Sequence, residues 1–391
     1  MIFELIGQEQ IAERFRALNG KKRIGSAYLF TGPEGSGKTA MAMNVAAMFL
    51  CGDPRDGAAC GQCPACAKLR HLNHPNFHFI HALPRSKNPS ENDPFAGLRD
   101  DDIGLITREE QKLSLDPYYQ MNIPKANNIL ISSIRELKRK LAMGQAEKGR
   151  QIILIQRVER ATREAYSALL KVLEEPPRGT TFILTAESVD PLPPTIASRC
   201  QTVRFNPIPD TKIADHMVEK GRNKTDALRI ARLSGGNVKQ AKDLTETDFS
   251  DIDTMILDFW RILMGSKIND RRVTNADLYT LTEHFSKIAK DDPSEFRNYL
   301  RFIIFWLRDT QLTSSQPEAE AQLINPHLSR EIRRFAEFYP DFPHCEMIRF
   351  IERTLDDINR NAYIPLSLAN LFMELRMHLL SSKRSTAHET Q

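Results

Sequence analysis

The sequence predicts an α/β domain with a parallel sheet and flanking helices, followed by a small helical segment and an all-helical C-terminal domain. Two observations lead to this prediction. Short apolar runs alternate with helical patterns through the first 205 residues, and the patterns beyond residue 207 are mostly helical. In addition, a glycine-rich loop connects an apolar strand to a helix near the N-terminus.

The sheet is expected to contain five short strands, because five apolar runs are bounded by turn residues. They are predicted at 26–30, 76–80, 151–156, 181–185 and 201–205. A helix is expected to begin at Ser133, since Glu136 follows three residues later as in a capping box. Ile134, Leu137 and Leu141 would then share the apolar face of that helix.

Changes in composition indicate the domain boundaries. Residues 82–128, which include Asp100-Asp101-Asp102, have the composition of turns and loops and are predicted to form a partly mobile insertion. The prolines at 207 and 209 end the sheet domain, since proline continues neither helix nor sheet. The segment 234–237 is expected to be a turn between two helices. We predict a sheet domain at 1–206 and a helical lid at 207–248. A helical domain at 249–381 and a disordered tail at 382–391 follow.

Length and composition exclude several classes of protein. The chain has 391 residues, of which 41% are hydrophobic and 27% charged, so it is neither wholly disordered nor collagen-like nor a small disulfide scaffold. A net charge of +4 is too small to argue for direct nucleic-acid binding. The most apolar stretch, 40–50, is too short to span a bilayer, and the N-terminus lacks a secretory signal. We expect a cytoplasmic protein with reduced thiols and no membrane contact.

The glycine-rich loop at 32–39 matches the phosphate-binding motif G-x-x-x-x-G-K-[ST] without a mismatch. Its glycines let backbone N–H groups surround phosphate oxygens, and the following helix adds a partial positive charge. The lysine can reach the β- and γ-phosphates, and the threonine hydroxyl can hold Mg²⁺. We therefore expect ATP or ADP to be bound by Gly32, Gly35, Ser36, Gly37, Lys38 and Thr39.

Hydrolysis of that nucleotide requires a carboxylate at the end of a neighbouring strand, where it holds Mg²⁺. The best candidate strand continues with Gln156 and Arg157 at the two positions where acids are expected. An amide is not an anionic ligand, and a guanidinium repels the metal, so we predict weak or absent hydrolysis. Two alternatives remain open: another strand supplies the acid, or Glu159, which lies two to three residues late, reaches back.

Four cysteines with the spacing C-x8-C-x2-C-x2-C form a cluster: Cys51, Cys60, Cys63 and Cys66. Four thiolates this close together favour a tetrahedral structural Zn²⁺ site, which leaves no open coordination position for catalysis. An iron–sulfur cluster is the alternative, but the sequence contains no redox partner motif, and we favour zinc. Cys200 and Cys345 stand alone and are expected to pack as small apolar residues.

Several of these segments together resemble one protein family. They are the segment 23–30 before the phosphate loop, the four cysteines, the segment 168–177 ending in Glu-Glu-Pro-Pro, and Ser198-Arg199-Cys200. In this combination the chain is similar, over about residues 5–245, to the bacterial clamp-loader subunits of DNA polymerase III, members of the AAA+ superfamily. The resemblance implies a P-loop AAA+ domain with a zinc module at 51–66, a lid, and a helical collar domain that joins a hetero-pentameric ring.

Two branches of this family fit the chain differently. The gamma/tau subunits are the ATPase motor and carry an acidic pair on the second strand, whereas the delta-prime subunit is a stator with degenerate ATPase motifs. Gln156 and Arg157 favour the delta-prime branch, and the intact phosphate loop departs from it. The gamma/tau motor remains the alternative. An unrelated zinc-bearing nucleic-acid-binding protein is a third hypothesis, which the motifs at 174–177 and 198–200 oppose.

The resemblance also implies a role for Arg199. In the family this arginine projects into the ATP site of a neighbouring gamma/tau subunit, where it acts in trans as an arginine finger on the γ-phosphate. The implied partners are gamma/tau and delta subunits, the sliding clamp, and primed DNA held by the assembled complex at the bacterial replication fork. Lys239 lies near the position where the family carries a basic sensor of the phosphates; an exposed helix lysine is the alternative.

Overall fold

A computed structural model of the chain describes residues 1–86, 90, 92–144, 149–246, 249–265, 267–268, 271–272, 274–316, 318, 322–360 and 362–382. The chain divides into two compact units, Met1–Thr245 and Glu246–Gln391. The tail predicted to be disordered lies, from residue 383 onward, outside the described residues. In the part of the chain that the structure describes, no helix is both long and apolar enough to cross a membrane.

The first unit contains a five-stranded parallel sheet, and all five strands predicted from the sequence are confirmed. Its strands are β1 Ala27–Thr31, β2 Phe77–Ile80, β3 Gln151–Ile155, β4 Thr180–Ala186 and β5 Gln201–Arg204. Their order across the sheet is β2-β3-β4-β1-β5, and every pairing is parallel. Strands β1, β3 and β4 are buried along their whole length, as expected when helices cover both faces of a parallel sheet.

Helices flank this sheet on both faces. The α-helices of the first unit are α1 Glu9–Gly20, α2 Lys38–Leu50, α3 Pro64–Arg70, α4 Asp100–Leu115, α5 Ile131–Ala142, α6 Arg163–Glu174, α7 Pro194–Ala197, α8 Asp210–Glu219, α9 Lys224–Ser234 and α10 Val238–Asp243. Successive strand residues point to opposite faces, so Phe30 packs with Phe15 and Met41 in one core cluster. Its neighbour Leu29 packs with Leu169 in the other.

The predicted capping box at Ser133 is wrong. Helix α5 begins at Ile131 after the extended residue Leu130, so Ser133 lies inside the first turn and its side chain is buried. Glu136 instead pairs with Lys140 one turn later, at 3.0 Å. The apolar face predicted for this helix is confirmed, because Ile134, Leu137 and Leu141 are all buried.

The insertion at 82–128 contains a regular helix, where the sequence composition predicted turns and loops. The three aspartates at 100–102 form the first turn of α4, where negative side chains are favourable because of the positive end of the helix dipole. The helix is anchored by Ile106 and Leu113, both buried. Residues 87–89 and 91 of this predicted insertion lie outside the described residues.

The predicted turn at 234–237 is confirmed between α9 and α10. Gly235 ends α9 in the left-handed conformation, with φ +55°. Asn237 begins α10, since its side chain accepts a hydrogen bond from the backbone N–H of Gln240.

The second unit is a helical bundle, as predicted, apart from one short β-ladder. Its helices are α11 Phe249–Leu263, α12 Asn275–Asp291, α13 Pro293–Ser315, α14 Ser329–Phe338, α15 His344–Asn359 and α16 Ile364–Ser381. Strands β6 Lys267–Ile268 and β7 Arg271–Arg272 pair antiparallel, which departs from the all-helical prediction. Trp260, Trp306 and Phe372 are among the large, fully buried side chains of this bundle.

The two isolated cysteines differ in their surroundings. Cys200 is half-buried and packs against the core of the first unit, as expected for a small apolar residue. The same expectation is wrong for Cys345, which is exposed on α15 and accepts a hydrogen bond from Nε2 of Gln311 at 3.2 Å.

Candidate nucleotide and metal sites

The carboxyl ends of the parallel strands bring the predicted phosphate-binding residues and their neighbours to one edge of the sheet. The glycine-rich loop follows β1, Gln156 and Arg157 follow β3, and Glu187 follows β4. Ligands bind at this edge in open α/β sheets. Here the edge borders an open cleft, whose walls include Glu34, Gly35, Gly37, Lys38, Thr39, Gln156, Arg157, Glu187 and Lys239.

Gly35 must be glycine because another loop rests directly on it. Its φ is +70°, and an added Cβ would lie 1.8 Å from Oδ1 of Asn237. The backbone N–H of Val238 donates to the carbonyl oxygen of Gly35 at 3.2 Å. The turn between α9 and α10 therefore covers one side of the phosphate loop.

Lys38 lies over the phosphate loop. Its Nζ donates to the carbonyl oxygens of Gly32 and Pro33, both at 2.6 Å. Burial lowers the pKa of this lysine to about 8, although the neighbouring carboxylates of Glu187, Glu159 and Glu34 oppose that change. The ammonium is thus held where a phosphate ligand would replace the carbonyl oxygens.

The residues after β3 do not form a Mg²⁺ site. Nε2 of Gln156 donates to Oγ1 of Thr39 at 3.3 Å, so the hydroxyl expected to hold the metal is engaged by a neutral amide. The guanidinium of Arg157 lies beside it and carries a positive charge where a metal ligand would need a negative one. Neither position after β3 therefore offers Mg²⁺ an anionic ligand, and the cleft carboxylates of Glu34 and Glu187 face Arg157.

Glu159, the alternative metal ligand, belongs to a one-turn 3-10 helix, Val158–Arg160, beyond the end of β3. Its Oε1 lies 3.7 Å from Nε of Arg157, and the side chain is largely buried. Burial raises the pKa of this carboxyl, and the charge of Arg157 only partly offsets that effect. Its nearest ionic partner is a guanidinium, which a metal ion would have to displace.

The insertion contributes a cleft residue that the sequence reasoning missed. Oη of Tyr118 accepts a hydrogen bond from the backbone N–H of Ile6 at 2.8 Å, and Nζ of Lys242 lies 5.1 Å from the ring centroid. An added Cβ on Gly37 would lie 3.2 Å from this hydroxyl. No sequence signal marked Tyr118, because it follows a segment without a recognisable pattern.

Lys239, predicted near the phosphates, lines the same cleft. Its Nζ pairs with Oδ2 of Asp243 at 2.6 Å, one turn later on α10. Both sequence interpretations therefore keep support, since the lysine borders the cleft and is also held by a neighbouring carboxylate on its own helix.

Arg199 lies at the opposite edge of the sheet from the phosphate loop. It follows α7 and precedes β5, whereas the phosphate loop follows β1, which runs parallel to β5. A strand of four or five residues spans roughly 13–17 Å, so Arg199 is remote from the cleft of its own chain. Its Nη2 donates to Oε1 of Glu174 at 2.7 Å, and its Nη1 donates to the carbonyl oxygen of Thr195 at 3.0 Å.

The four clustered cysteines converge as their spacing predicts. Their Sγ atoms all lie within 4.8 Å of one another, with Cys51 at 3.5 Å from Cys60 and 3.9 Å from Cys63. Tetrahedral Zn²⁺ with bonds of about 2.3 Å would separate its sulfur ligands by about 3.8 Å. The residues therefore fit a four-coordinate metal.

Backbone N–H groups surround these sulfur atoms. The N–H of Cys60 donates to Sγ of Cys51 at 3.2 Å. The N–H of Cys66 donates to Sγ of Cys63 at 3.5 Å. Burial acts to raise the pKa of Cys63, but the backbone N–H groups of Cys66 and Gly52 outweigh it, and the pKa falls to about 6. A stabilised thiolate at Cys63 suits a metal site, whereas burial raises the pKa of Cys51 and Cys66.

Comparison with known proteins identifies the family. The family model described as "DNA polymerase III, delta subunit" matches residues 7–209, which contain the whole sheet, the phosphate loop and the cysteines. The chain belongs to this family. Its resemblance to clamp-loader subunits of the AAA+ superfamily, drawn from the motifs above, is thereby confirmed.

Curated relatives of this DNA polymerase III family member come from both branches. The chain is 26% identical over 250 residues to DNA polymerase III subunit delta' of Bacillus subtilis, covering 63% of this chain and 62% of that one. It is 24% identical over 369 residues to subunit tau of the same organism, covering 90% and 57%. Subunit delta' of Pseudomonas aeruginosa is 30% identical over 183 residues, covering 47% and 44%. The chain thus spans about half to three-fifths of the length of these relatives.

Proposed function

We propose that this chain is a delta-prime-type stator of the DNA polymerase III clamp loader, with little or no ATPase activity of its own. In this role it joins gamma/tau and delta subunits in a hetero-pentameric ring that places a sliding clamp on primed DNA. The observation that carries the proposal is the pair Gln156 and Arg157 beside an intact phosphate loop. A site without an acid at these two positions is poorly suited to phosphoryl transfer.

Arg199 is the residue through which such a stator would act. Because it lies at the far edge of the sheet from its own cleft, any contact with a γ-phosphate must be made in a neighbouring subunit. Its guanidinium is exposed and held by a single carboxylate, that of Glu174. A negative γ-phosphate can replace that carboxylate, and a guanidinium there stabilises charge as phosphoryl transfer proceeds.

The cysteine site would hold Zn²⁺ as a structural metal. Bound zinc would fix α3 and the loop before it against α2, because Cys51 follows α2, Cys63 precedes α3 and Cys66 lies within α3. With four protein ligands the ion has no open position, so it supplies folding free energy and takes no part in the chemistry.

The gamma/tau motor is the second candidate, and one observation favours it. The similarity to subunit tau extends over 90% of this chain, whereas that to subunit delta' of the same organism extends over 63%. A motor would require another acid to leave Arg157 and bind Mg²⁺, either Glu159 or, from another strand, Glu187 after β4.

The deciding experiment measures ATP hydrolysis by the purified chain alone and by the clamp loader reconstituted from the same organism. We expect no hydrolysis by the chain alone above the level of Lys38→Ala. In the loader, Arg199→Ala should lower clamp loading by at least about tenfold without changing assembly. Arg178→Ala is the matched control, since Arg178 is also exposed and precedes a strand. Unchanged loading by Arg199→Ala contradicts the stator role, and hydrolysis abolished by Lys38→Ala supports the motor.

A further inference from the structure

Arg157 places a fixed positive charge in the cleft where a nucleotide-bound metal would lie. Relative to a site with two acids after the second strand, Gln156 and Arg157 remove two negative charges and add one positive charge. That change exceeds the charge of a divalent cation. A nucleotide in this cleft would therefore meet more positive charge than in a site with two acids, because Lys38 and Arg157 lie on the same wall, where the carboxylates of Glu34 and Glu187 face Arg157.

The backbone of Arg157 holds this charge in a special conformation. It is left-handed, with φ 53° and ψ 58°, which is uncommon for a residue other than glycine and is found more often at functional sites. The backbone N–H donates to Oγ1 of Thr185 at 3.0 Å, which joins the residue to β4. The turn after β3 therefore directs this side chain into the cleft.

The guanidinium is restrained on one side and retains hydrogen-bond donors on the other. Its Nη2 pairs closely with Glu187. Its Nη1 lies 3.9 Å from Oε1 of Glu34, which is longer than a hydrogen bond. Among the described residues, none accepts a hydrogen bond from the buried Nε. The buried Nε faces Oε1 of Glu159 at 3.7 Å, so Nη1 is the nitrogen left to face an added acceptor.

Phosphate oxygens are the acceptors that suit this arrangement. An arginine N–H donates a charge-assisted hydrogen bond to a phosphate oxygen, and such a bond is stronger than a neutral one. The phosphate loop supplies backbone N–H groups at the start of α2 from the other side. Oγ1 of Thr39, the hydroxyl oxygen expected to bind Mg²⁺, instead accepts a hydrogen bond from Gln156.

We propose that this chain binds nucleoside di- or triphosphates without a divalent metal, with the Arg157 guanidinium in the place of Mg²⁺. The proposal deepens the proposed function and rests on it only for the absence of hydrolysis. A nucleotide held in this way would not be hydrolysed, because no metal is present to stabilise the transition state. Its role would then be to stabilise the contact between the phosphate loop and the turn at 234–237.

The test is nucleotide binding by the full chain, measured by calorimetric titration with ADP and with ATP in EDTA and in Mg²⁺. We expect affinities that agree within about twofold between the two conditions. Arg157→Gln should weaken binding by about tenfold or more in both. Arg163→Gln, an exposed arginine on α6, is the matched control and should bind as the wild type does.

A double variant inverts the requirement for metal. With Gln156→Asp and Arg157→Glu, binding should disappear in EDTA and return in Mg²⁺, and this gain of metal dependence does not arise from misfolding. Arg157→Lys keeps the charge and should retain part of the affinity. No binding in EDTA by the wild-type chain, or binding strengthened more than about tenfold by Mg²⁺, overturns the proposal. Neither result bears on Arg199, whose role is tested separately in the assembled loader.

Discussion

Nη2 of Arg199 donates a hydrogen bond to Oε1 of Glu174 at 2.7 Å, which joins the Ser-Arg-Cys motif to the Glu-Glu-Pro-Pro motif. Glu174 ends α6 and Arg199 follows α7, so both lie at the amino-terminal edge of the sheet. The contact holds the guanidinium at this edge when no partner is bound. It also makes Glu174 a positioning residue for any role of Arg199 in a neighbouring subunit.

We expect Glu174→Ala to lower ATP turnover by the reconstituted clamp loader by up to about fivefold. The effect is smaller than that of Arg199→Ala, because an exposed ion pair contributes at most about 1 kcal/mol. Turnover is measured at saturating clamp and primed DNA, with assembly followed by gel filtration. Glu175→Ala, at the adjacent exposed position, is the control. Equal turnover by the two variants would contradict a positioning role.

The cysteine cluster yields a prediction about metal content. Cys66→Ser should reduce zinc from about one ion per chain to nearly none, since all four thiolates are needed to complete the tetrahedron. The melting temperature should fall as well, because Cys66 is buried next to the core residue Leu69. Metal content is measured by mass spectrometry of the purified chain.

Cys345→Ser is the control for this measurement. Cys345 is exposed and belongs to the other compact unit, so its loss should leave the zinc content unchanged. Iron in place of zinc in the wild-type chain, or full zinc content in Cys66→Ser, would contradict the prediction.

The parts of the fold that were predictable are those encoded locally. Each strand is a short apolar run between turn residues, and the phosphate loop and the cysteine spacing are continuous in sequence. The start of α5 was not predictable from the cap alone, since Ser132 and Ser133 are adjacent and both become buried. Nothing in the local composition distinguishes Leu130, which is extended, from the helical residues that follow it.

The contacts that complete the cleft are encoded at long range. Tyr118 reaches Ile6 across more than a hundred residues of sequence, and Asn237 reaches Gly35 across about two hundred. No single-sequence pattern carries that information. The partners of Arg157 likewise follow three different strands or loops, so its positive charge was recognisable from the sequence but its setting was not.

The contact between the phosphate loop and the turn at 234–237 predicts a severe effect of one added methyl group. We expect Gly35→Ala to destabilise the first unit by about 1–3 kcal/mol and to abolish nucleotide binding. The new Cβ would overlap Oδ1 of Asn237, and the left-handed φ of +70° is unfavourable for alanine. Thermal unfolding and ADP titration measure the two effects.

Gly20→Ala is the control for this substitution. No atom of the described chain lies within 4 Å of a Cβ added to Gly20. Gly20 is the last residue of α1, and its φ is not left-handed. It should unfold and bind nucleotide as the wild-type chain does. If Gly35→Ala matched Gly20→Ala in both measurements, the turn at 234–237 would not rest on the loop as described.

His344 predicts a pH dependence of stability confined to the helical unit. It is buried at the start of α15, and burial lowers its pKa to about 4. Because an unfolded histidine titrates near pH 6.5, the unfolded chain binds more protons between pH 6.5 and 4. The stability present above pH 6.5 is therefore lost as the pH falls toward 4. At pH 5 the loss should be about 2 kcal/mol.

Tryptophan fluorescence during urea unfolding measures this loss in the helical unit alone. The chain has two tryptophans, and both Trp260 and Trp306 lie in that unit. His344→Gln should remove most of the difference in unfolding free energy between pH 7.5 and pH 5, because glutamine does not titrate. His284→Gln, at an exposed position on α12, should retain the difference. An unchanged difference in His344→Gln would assign the pH dependence to other groups.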